Sequence, residues 1–467
     1  MKVRVNGEIL IEAPTPEIKE HFVKLLTVKN PAYVNAQRLG FSTYGITPEL
    51  KLYRASMNAL VIPRGLWREL NGMVQGAMCV DDCLVRQPRV DFPQNKIQLR
   101  PYQERALREI KSAQGILIMP CGGGKTETAL ELIARIRQPA LWITHTKDLV
   151  EQVVARAQAR LGLSGDEIGV IGGGKKASIG THLTVATVQT LYRMDVAELA
   201  GRIGAVVVDE CHRVVANPTT ASMFAEVLAC LPAYYRYGIT ASENRGDGLE
   251  ATTRWVLGPV LAKITQEELE QSGCTVVPTL TPVITSFEHN WSIGEEHLNF
   301  NRVLDEMGED TERSKQIAGL VIREARQGHS VLVLATTLKI LRSIMAEVPE
   351  GIPSAIVDGH TPVKQRLETI DSVRDGRTLV LFATYPLAKE GLDIPRLDRL
   401  ILAAPVRAES AVQQSVGRIM RPAPGKRDAI VYDVVDAQVP ALKRQFNARK
   451  RVYKKLKIGG TENGLHQ

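Results

Sequence analysis

Short apolar runs recur along the middle and the end of this chain, separated by stretches whose apolar positions follow helical spacing. A first series falls at 116–119, 140–144, 183–187, 205–208 and 236–239, and a second at 331–335, 354–357, 378–382, 399–403 and 428–433. Continuous apolar runs alternating with amphipathic stretches are the pattern of strands buried on both faces, so each series predicts a parallel sheet covered by helices. Residues 1–95 lack this regularity; they mix short strand and helix signals and end in a run with two prolines, Gln87 to Asn95, that reads as a linker. At the other end, Leu442, Phe446, Tyr453 and Leu456 share one face of a helix predicted over 441–458, a segment with eight Lys/Arg and no acid. The fold expected is α/β: a small α+β domain over 1–95, alternating domains over 96–272 and 273–440, and a basic C-terminal helix and tail over 441–467.

Composition narrows the class. A length of 467 residues with 44% hydrophobic content suits about three domains with buried cores. No run approaches the roughly 18 apolar residues that a bilayer span requires, and the start, Met1 to Glu8, has no signal-peptide character, so the expectation is a cytoplasmic protein with no membrane partner. The six cysteines are scattered, which suits a reducing compartment rather than a disulfide framework. A formal charge of +8 favours a polyanionic partner. The N-terminal segment carries 12 Lys/Arg against 9 Asp/Glu, with Tyr33, Tyr44, Tyr53 and Trp67 among Arg38, Lys51, Arg54, Arg64 and Arg68. Aromatics beside basic groups can stack on exposed bases, which would make this segment the substrate selector, separable from the catalytic domains; ordinary core aromatics are the alternative.

The chemistry concentrates in two places. Met119-Pro-Cys-Gly-Gly-Gly-Lys125-Thr126 lies between an apolar run and a helical pattern, the setting of a phosphate loop. Backbone N–H groups of Gly122, Gly123 and Gly124 can converge on a phosphate at the helix N-terminus, Lys125 can reach the β/γ-phosphates, and Thr126 can ligate Mg²⁺. The strict pattern wants a glycine where Met119 stands. Further on, the run Ala205 to Val208 ends in Asp209-Glu210-Cys211-His212. Crowded carboxylates at a strand end need a cation, which Mg²⁺ held by the phosphates and Asp209 supplies, leaving Glu210 to polarise the attacking water.

From Leu99 to Tyr432 the order of motifs resembles the superfamily 2 helicases and translocases, here with a DECH box. Leu99-Arg-Pro-Tyr-Gln103 resembles the entry motif, which implies Arg100 and Gln103 at the adenine. Pro120, Cys121 and the glycines to Thr126 resemble motif I; Thr144 to Leu149 and Ala186 to Thr190 resemble two nucleic-acid motifs; Asp209 to His212 is motif II. Thr240-Ala241-Ser242 stands where relatives carry the coupling motif, with His212 as its partner, although the following Glu243-Asn244 departs from the usual Thr-Pro. In the second series, Asp358-Gly-His360 with Arg366, Thr384 with Glu390 to Pro395, and Gln414-Ser-Val-Gly-Arg-Ile-Met-Arg421 resemble motifs IVa, V and VI. The resemblance implies two tandem RecA-like domains and ATP with Mg²⁺ in the cleft between them. Gly391 and Asp393 would shape that cleft, and Gln414, Arg418 and Arg421 would complete the catalytic set.

The same resemblance places nucleic acid on Thr144, Lys147, Thr187, Gln189, Thr337 and Thr384, small donors that hold phosphates without reading bases. The loop Ile168 to Lys176, with Lys175 and Lys176, and the run Arg245 to Glu250 resemble the excision-repair translocase XPB, phage branch-migration helicases of the UvsW type and type III restriction motor subunits. The function expected is an ATP-dependent helicase or translocase on duplex, forked or branched DNA. The motor of a restriction complex, an ATP-gated DNA clamp and an RNA helicase remain alternatives.

Overall fold

The computed structural model describes all residues except 39, 75–77, 121, 174–176, 215–219, 242–248, 274, 291–297, 391, 393, 407–408 and 460–467, and the side chains of 220–222, 363, 389–390 and 410. The chain divides into two compact units, the first formed by Met1–Pro120 and Gly124–Thr265 and the second by the residues from Gln266 onward together with Cys121–Gly123.

The first unit opens with β1 (Lys2–Val5), β2 (Glu8–Glu12), β3 (Thr27–Lys29), β4 (Glu49–Lys51), β5 (Arg54–Ala55), β6 (Ala59–Pro63) and β7 (Cys79–Asp82). β3 and β4 pair as a small ribbon, and the rest form a sheet of order β5-β6-β2-β1-β7, antiparallel except for β1 with β7. Alternate residues Val3, Val5, Ile9, Ile11, Leu60 and Ile62 are buried with Ile18, Phe22 and Leu70 from the helices Pro16–Leu25 and Trp67–Met73, a period-two pattern covered on one face.

This small sheet is packed onto the larger one rather than hung from it by a linker. Trp255, from the helix Glu250–Leu257, joins its core. Arg236 donates to the Gly7 carbonyl at 3.1 Å, and Arg64 donates to the Ala233 carbonyl at 2.7 Å. Arg64 is therefore no part of a surface patch: it is buried, and of the four aromatics singled out in the sequence only Tyr44 is strongly exposed.

The larger sheet holds β8 (Gln114–Ile118), β9 (Ala140–Thr144), β10 (Ile168–Ile171), β11 (Leu183–Thr187), β12 (Ala205–Asp209), β13 (Tyr235–Thr240) and β14 (Val260–Lys263) in the order β10-β11-β9-β12-β13-β8-β14, all parallel. The second unit has β15 (Thr279–Thr285), β16 (Val331–Ala335), β17 (Ser354–Val357), β18 (Val380–Thr384), β19 (Arg399–Leu402) and β20 (Ile430–Asp436) in the order β15-β20-β19-β16-β18-β17, again all parallel. The three strands that the apolar pattern did not announce, β10, β14 and β15, are all sheet edges. An edge strand is covered less completely and needs no continuous apolar run; β15 even carries Pro282, which an edge tolerates.

The C-terminal helix runs Pro440–Lys455 and buries Leu442, Phe446 and Tyr453 as expected. Its basic face is one residue smaller than the sequence suggested. Arg449 is buried, and its guanidinium makes a two-point pair with Asp433 of β20 at 2.7 and 2.9 Å, with the Tyr453 hydroxyl donating to the same carboxylate at 2.7 Å.

Candidate active site

Three neighbouring strands of the first unit deliver the chemistry. β13 lies between β8 and β12, so the loop after β8, the end of β13 and the acids after β12 sit side by side at one rim of the sheet. In open α/β sheets the crevice outside the strand C-terminal ends is where ligands bind.

After β8, Gly122 and Gly124 adopt φ of +84° and +81°, and Gly124 starts the helix Lys125–Ile136. Only glycine takes such angles without strain, which is why the loop can turn its N–H groups inward at a helix N-terminus. Lys125 and Thr126 begin that helix. Thr128, which the sequence did not single out, donates its hydroxyl to the Gly124 carbonyl at 3.0 Å and ties the loop to the first turn. Gln103 is buried; its Oε1 accepts from the Arg100 backbone N–H at 2.8 Å, and its Nε2 donates to the Gly124 carbonyl at 3.4 Å. The entry-motif glutamine thus caps its own helix and touches the phosphate loop. Pro120 precedes the turn; Cys121 lies outside the described residues.

At the end of β12, Asp209 is buried and Glu210 adopts φ of +47°, a left-handed conformation that costs a non-glycine residue about 1–2 kcal/mol. The turn brings the Glu210 carboxylate to 3.7 Å from Lys125 Nζ. Burial, reinforced by the neighbouring Glu210, pushes Asp209 above the usual carboxylate range. Burial acts on Glu210 in the same direction, but Lys125 and His212 together outweigh it and hold that carboxylate low. His212 Nδ1 lies 3.0 Å from Thr240 Oγ1 and 3.2 Å from Glu210 Oε2. A line of polar contact therefore runs from Lys125 through Glu210 and His212 to Thr240, with Ala241 next in the chain and Ser242 outside the described residues.

The donor set fits a nucleotide-bound divalent cation. A buried aspartate whose charge is opposed by burial and by a second acid is stabilised by a cation, and Thr126 supplies a neutral oxygen at the start of the adjoining helix. Mg²⁺ bound with ATP would be held by Thr126 and Asp209 and would offset charge on the phosphates.

Farther along the same rim, Thr144 ends β9 and Thr187 ends β11. Both are buried; the Thr187 hydroxyl is shared with Thr190 at 2.8 Å, while the Thr144 hydroxyl has no partner among the described residues. Gln189 donates to the His145 carbonyl at 3.0 Å, and Lys147 is exposed at the start of the helix Lys147–Leu161. Lys175, Lys176 and Arg245 lie outside the described residues. In the second unit, Thr337 caps the helix Leu338–Ala346 and Thr384 ends β18, both half-exposed at strand C-terminal ends. Gln414 and Arg418 lie on the helix Glu409–Ile419, with Arg418 Nε donating to the Ala388 carbonyl at 2.8 Å, and Arg421 follows it. Gly391 and Asp393 lie outside the described residues.

Known proteins carry the same two halves. Residues 96–245 match the family described as "Type III restriction enzyme, res subunit", and residues 312–423 match "Helicase conserved C-terminal domain". By both matches and by its relatives the chain is similar to the superfamily 2 helicases. It is 28% identical to "Probable helicase D10" of Escherichia phage T5 over 371 residues, 78% of this chain and 77% of that one. It is 25% identical to "DNA 3'-5' translocase XPB2" of Sulfurisphaera tokodaii over 380 residues, 74% of this chain and 83% of that one. Among solved structures it is similar to S. cerevisiae Dbp5 bound to RNA and ADP BeF3, with a TM-score of 0.56 and 17% identity, covering 77% of this chain and 89% of that one, a likeness of fold alone. Nucleotide use follows from the helicase domains, and the tandem parallel sheets are of RecA-like type. Among the described residues no helix is long and apolar enough to cross a membrane.

Proposed function

We propose that this superfamily 2 helicase is an ATP-driven translocase acting on duplex, forked or branched DNA. The observation that carries the reading is the polar line from Lys125 through Glu210 and His212 to Thr240. It joins the nucleotide loop to the strand end that lies between the phosphate loop and the acids, so a change at the nucleotide is felt at the rim where nucleic acid is expected. In this reading Lys125 binds the phosphates, Thr126 and Asp209 hold Mg²⁺, and Glu210 takes the proton of the attacking water. Arg418 and Arg421 then stabilise charge on the phosphoryl oxygens, a role worth about 10³ to 10⁵ in rate among related hydrolases. Thr144, Lys147, Lys175, Lys176, Thr187, Gln189, Arg245, Thr337 and Thr384 are the proposed nucleic-acid contacts, made to phosphates and indifferent to sequence. The choice of DNA is supported by the similarity to the DNA 3'-5' translocase XPB2.

ATP turnover measured in parallel with single-stranded, duplex, forked and four-way-junction DNA and with RNA tests this. Stimulation greatest with branched DNA, together with ATP-dependent displacement of a triplex strand, is expected. Equal stimulation by RNA would overturn the choice of DNA, and stimulation without displacement would make the protein a clamp. Binding should also weaken steeply with salt, by about 10³ to 10⁵ between 50 and 200 mM if 6–10 phosphates are neutralised. The match of residues 96–245 to a restriction-subunit family favours a second reading, the motor of a restriction complex, which requires co-purification with a nuclease from the source cell.

A further inference from the structure

Away from the nucleotide rim, near the N-terminal ends of β8 and β13, the first unit brings charge and space together a second time. A cavity of about 220 Å³ lies between the N-terminal sheet and the helices Thr220–Ala229 and Glu250–Leu257. Tyr53 and Trp255 contribute aromatic wall, and Arg64 and Arg236 border it, each only 1% exposed.

The hydrogen bonds of the two arginines are incomplete. Arg64 gives Nε to Gln114 Oε1 at 2.8 Å and Nη1 to the Ala233 carbonyl at 2.7 Å. Arg236 gives Nη1 to the Gly7 carbonyl at 3.1 Å and Nη2 to the Leu228 and Leu231 carbonyls at 2.8 and 2.9 Å. Arg64 Nη2 and Arg236 Nε remain buried without an acceptor among the described residues. Among the described residues neither guanidinium has a carboxylate within ion-pair distance, and the nearby Glu8 is paired with Arg54. Lys51 and Arg54 add two more cations to the lining, against Glu8 and Glu226. Burial pushes the Arg236 pKa down to about 9, and for Arg64 burial and the charge of Arg236 act together.

A buried cation is costly unless its donors are met and its charge is balanced. Carbonyl oxygens meet most of the donors here but balance little of the charge. We propose that this cavity binds a small oxyanion, a phosphate or carboxylate carried on a planar apolar body, with Arg64 and Arg236 as its counter-ions and Tyr53 and Trp255 against the body. The site is separate from the phosphate loop and independent of the proposed helicase substrate.

The test titrates the full-length protein with phenyl phosphate, benzoate and inorganic phosphate, reading intrinsic tryptophan fluorescence and the thermal midpoint. Saturable binding of phenyl phosphate or benzoate, tighter than that of inorganic phosphate because the ring is buried, is expected; which of the two binds tighter identifies the anion as a phosphate monoester or a free carboxylate. The fluorescence response should be lost in Trp255→Phe while the thermal shift persists. Arg64→Met should abolish binding, and because that variant can fail to fold, Lys51→Glu at the exposed rim provides the second measure. It should weaken binding about three- to tenfold at low salt, an effect of exposed charge that added salt diminishes. Lys125→Ala should leave the titration unchanged. No saturable binding by either aromatic anion, affinities untouched by Lys51→Glu, or binding lost in Lys125→Ala would each overturn the proposal.

Discussion

The Lys125 ammonium lies 3.7 Å from Glu210 Oε1, so the cation read as the phosphate ligand is held beside the carboxylate read as the base. In the proposed mechanism an incoming phosphate would make Lys125 exchange one anion for another, and that exchange would release Glu210 for the water. Glu210→Gln should therefore retain nucleotide binding, since Lys125 and Asp209 survive, while turnover falls by about 10² to 10⁴, the usual contribution of a positioned base. Lys125→Ala should lose binding as well as turnover, and Arg421→Ala should resemble Glu210→Gln. Equilibrium binding of a fluorescent ATP analogue beside steady-state phosphate release separates the cases; normal turnover in Glu210→Gln would remove Glu210 from the mechanism.

Thr240 tests the proposed transmission. Its hydroxyl lies 3.0 Å from His212 Nδ1 at the end of a strand buried on both sides, and Thr240→Val keeps the branched shape while removing that hydrogen bond, worth about 1 kcal/mol. The ratio of nucleic-acid-stimulated to basal turnover should fall about fivefold. An unchanged ratio would mean that the two sites communicate by another route.

In the second unit, Arg313 and Asp436 form a buried pair at 2.7 and 3.1 Å, with the Thr285 hydroxyl donating to the same carboxylate at 2.6 Å and Arg313 Nη2 reaching the Ala403 carbonyl. Arg313→Leu leaves Asp436 buried and unpaired, so urea unfolding of that unit should show a loss of about 3–5 kcal/mol. The double variant Arg313→Leu with Asp436→Leu should recover much of it. A single variant as stable as the parent would show that water reaches the carboxylate.

Gly7 reports on the union of the N-terminal sheet with the larger one. A Cβ there would stand 1.9 Å from the Ala229 carbonyl oxygen, and neither backbone can yield without separating the two surfaces. Gly7→Val should destabilise the first unit by about 1–3 kcal/mol, the range of overpacked cores, read as a lower thermal midpoint. A deletion of residues 1–90 should do worse, because it strips Arg236 of its Gly7 acceptor and uncovers Trp255. A truncated protein as stable as the full chain would show that the N-terminal sheet adds nothing to the core.

What contiguous residues carry was readable from the amino-acid order alone. The central strands were legible because a strand covered on both faces must be apolar throughout, and the phosphate loop and the Asp209-Glu210 pair because their chemistry resides in a few neighbouring positions. Tertiary structure decided whatever depends on partners brought from afar. That β13 lies between the phosphate loop and the acids is a matter of strand order, to which local pattern is blind. Arg64 and Arg449 read as surface charges in the sequence, yet both are buried, as are Arg236 and Arg313, because carbonyls or a carboxylate from distant parts of the chain come together to solvate each of them. A charge leaves water only where such partners already stand, and their meeting is settled by packing.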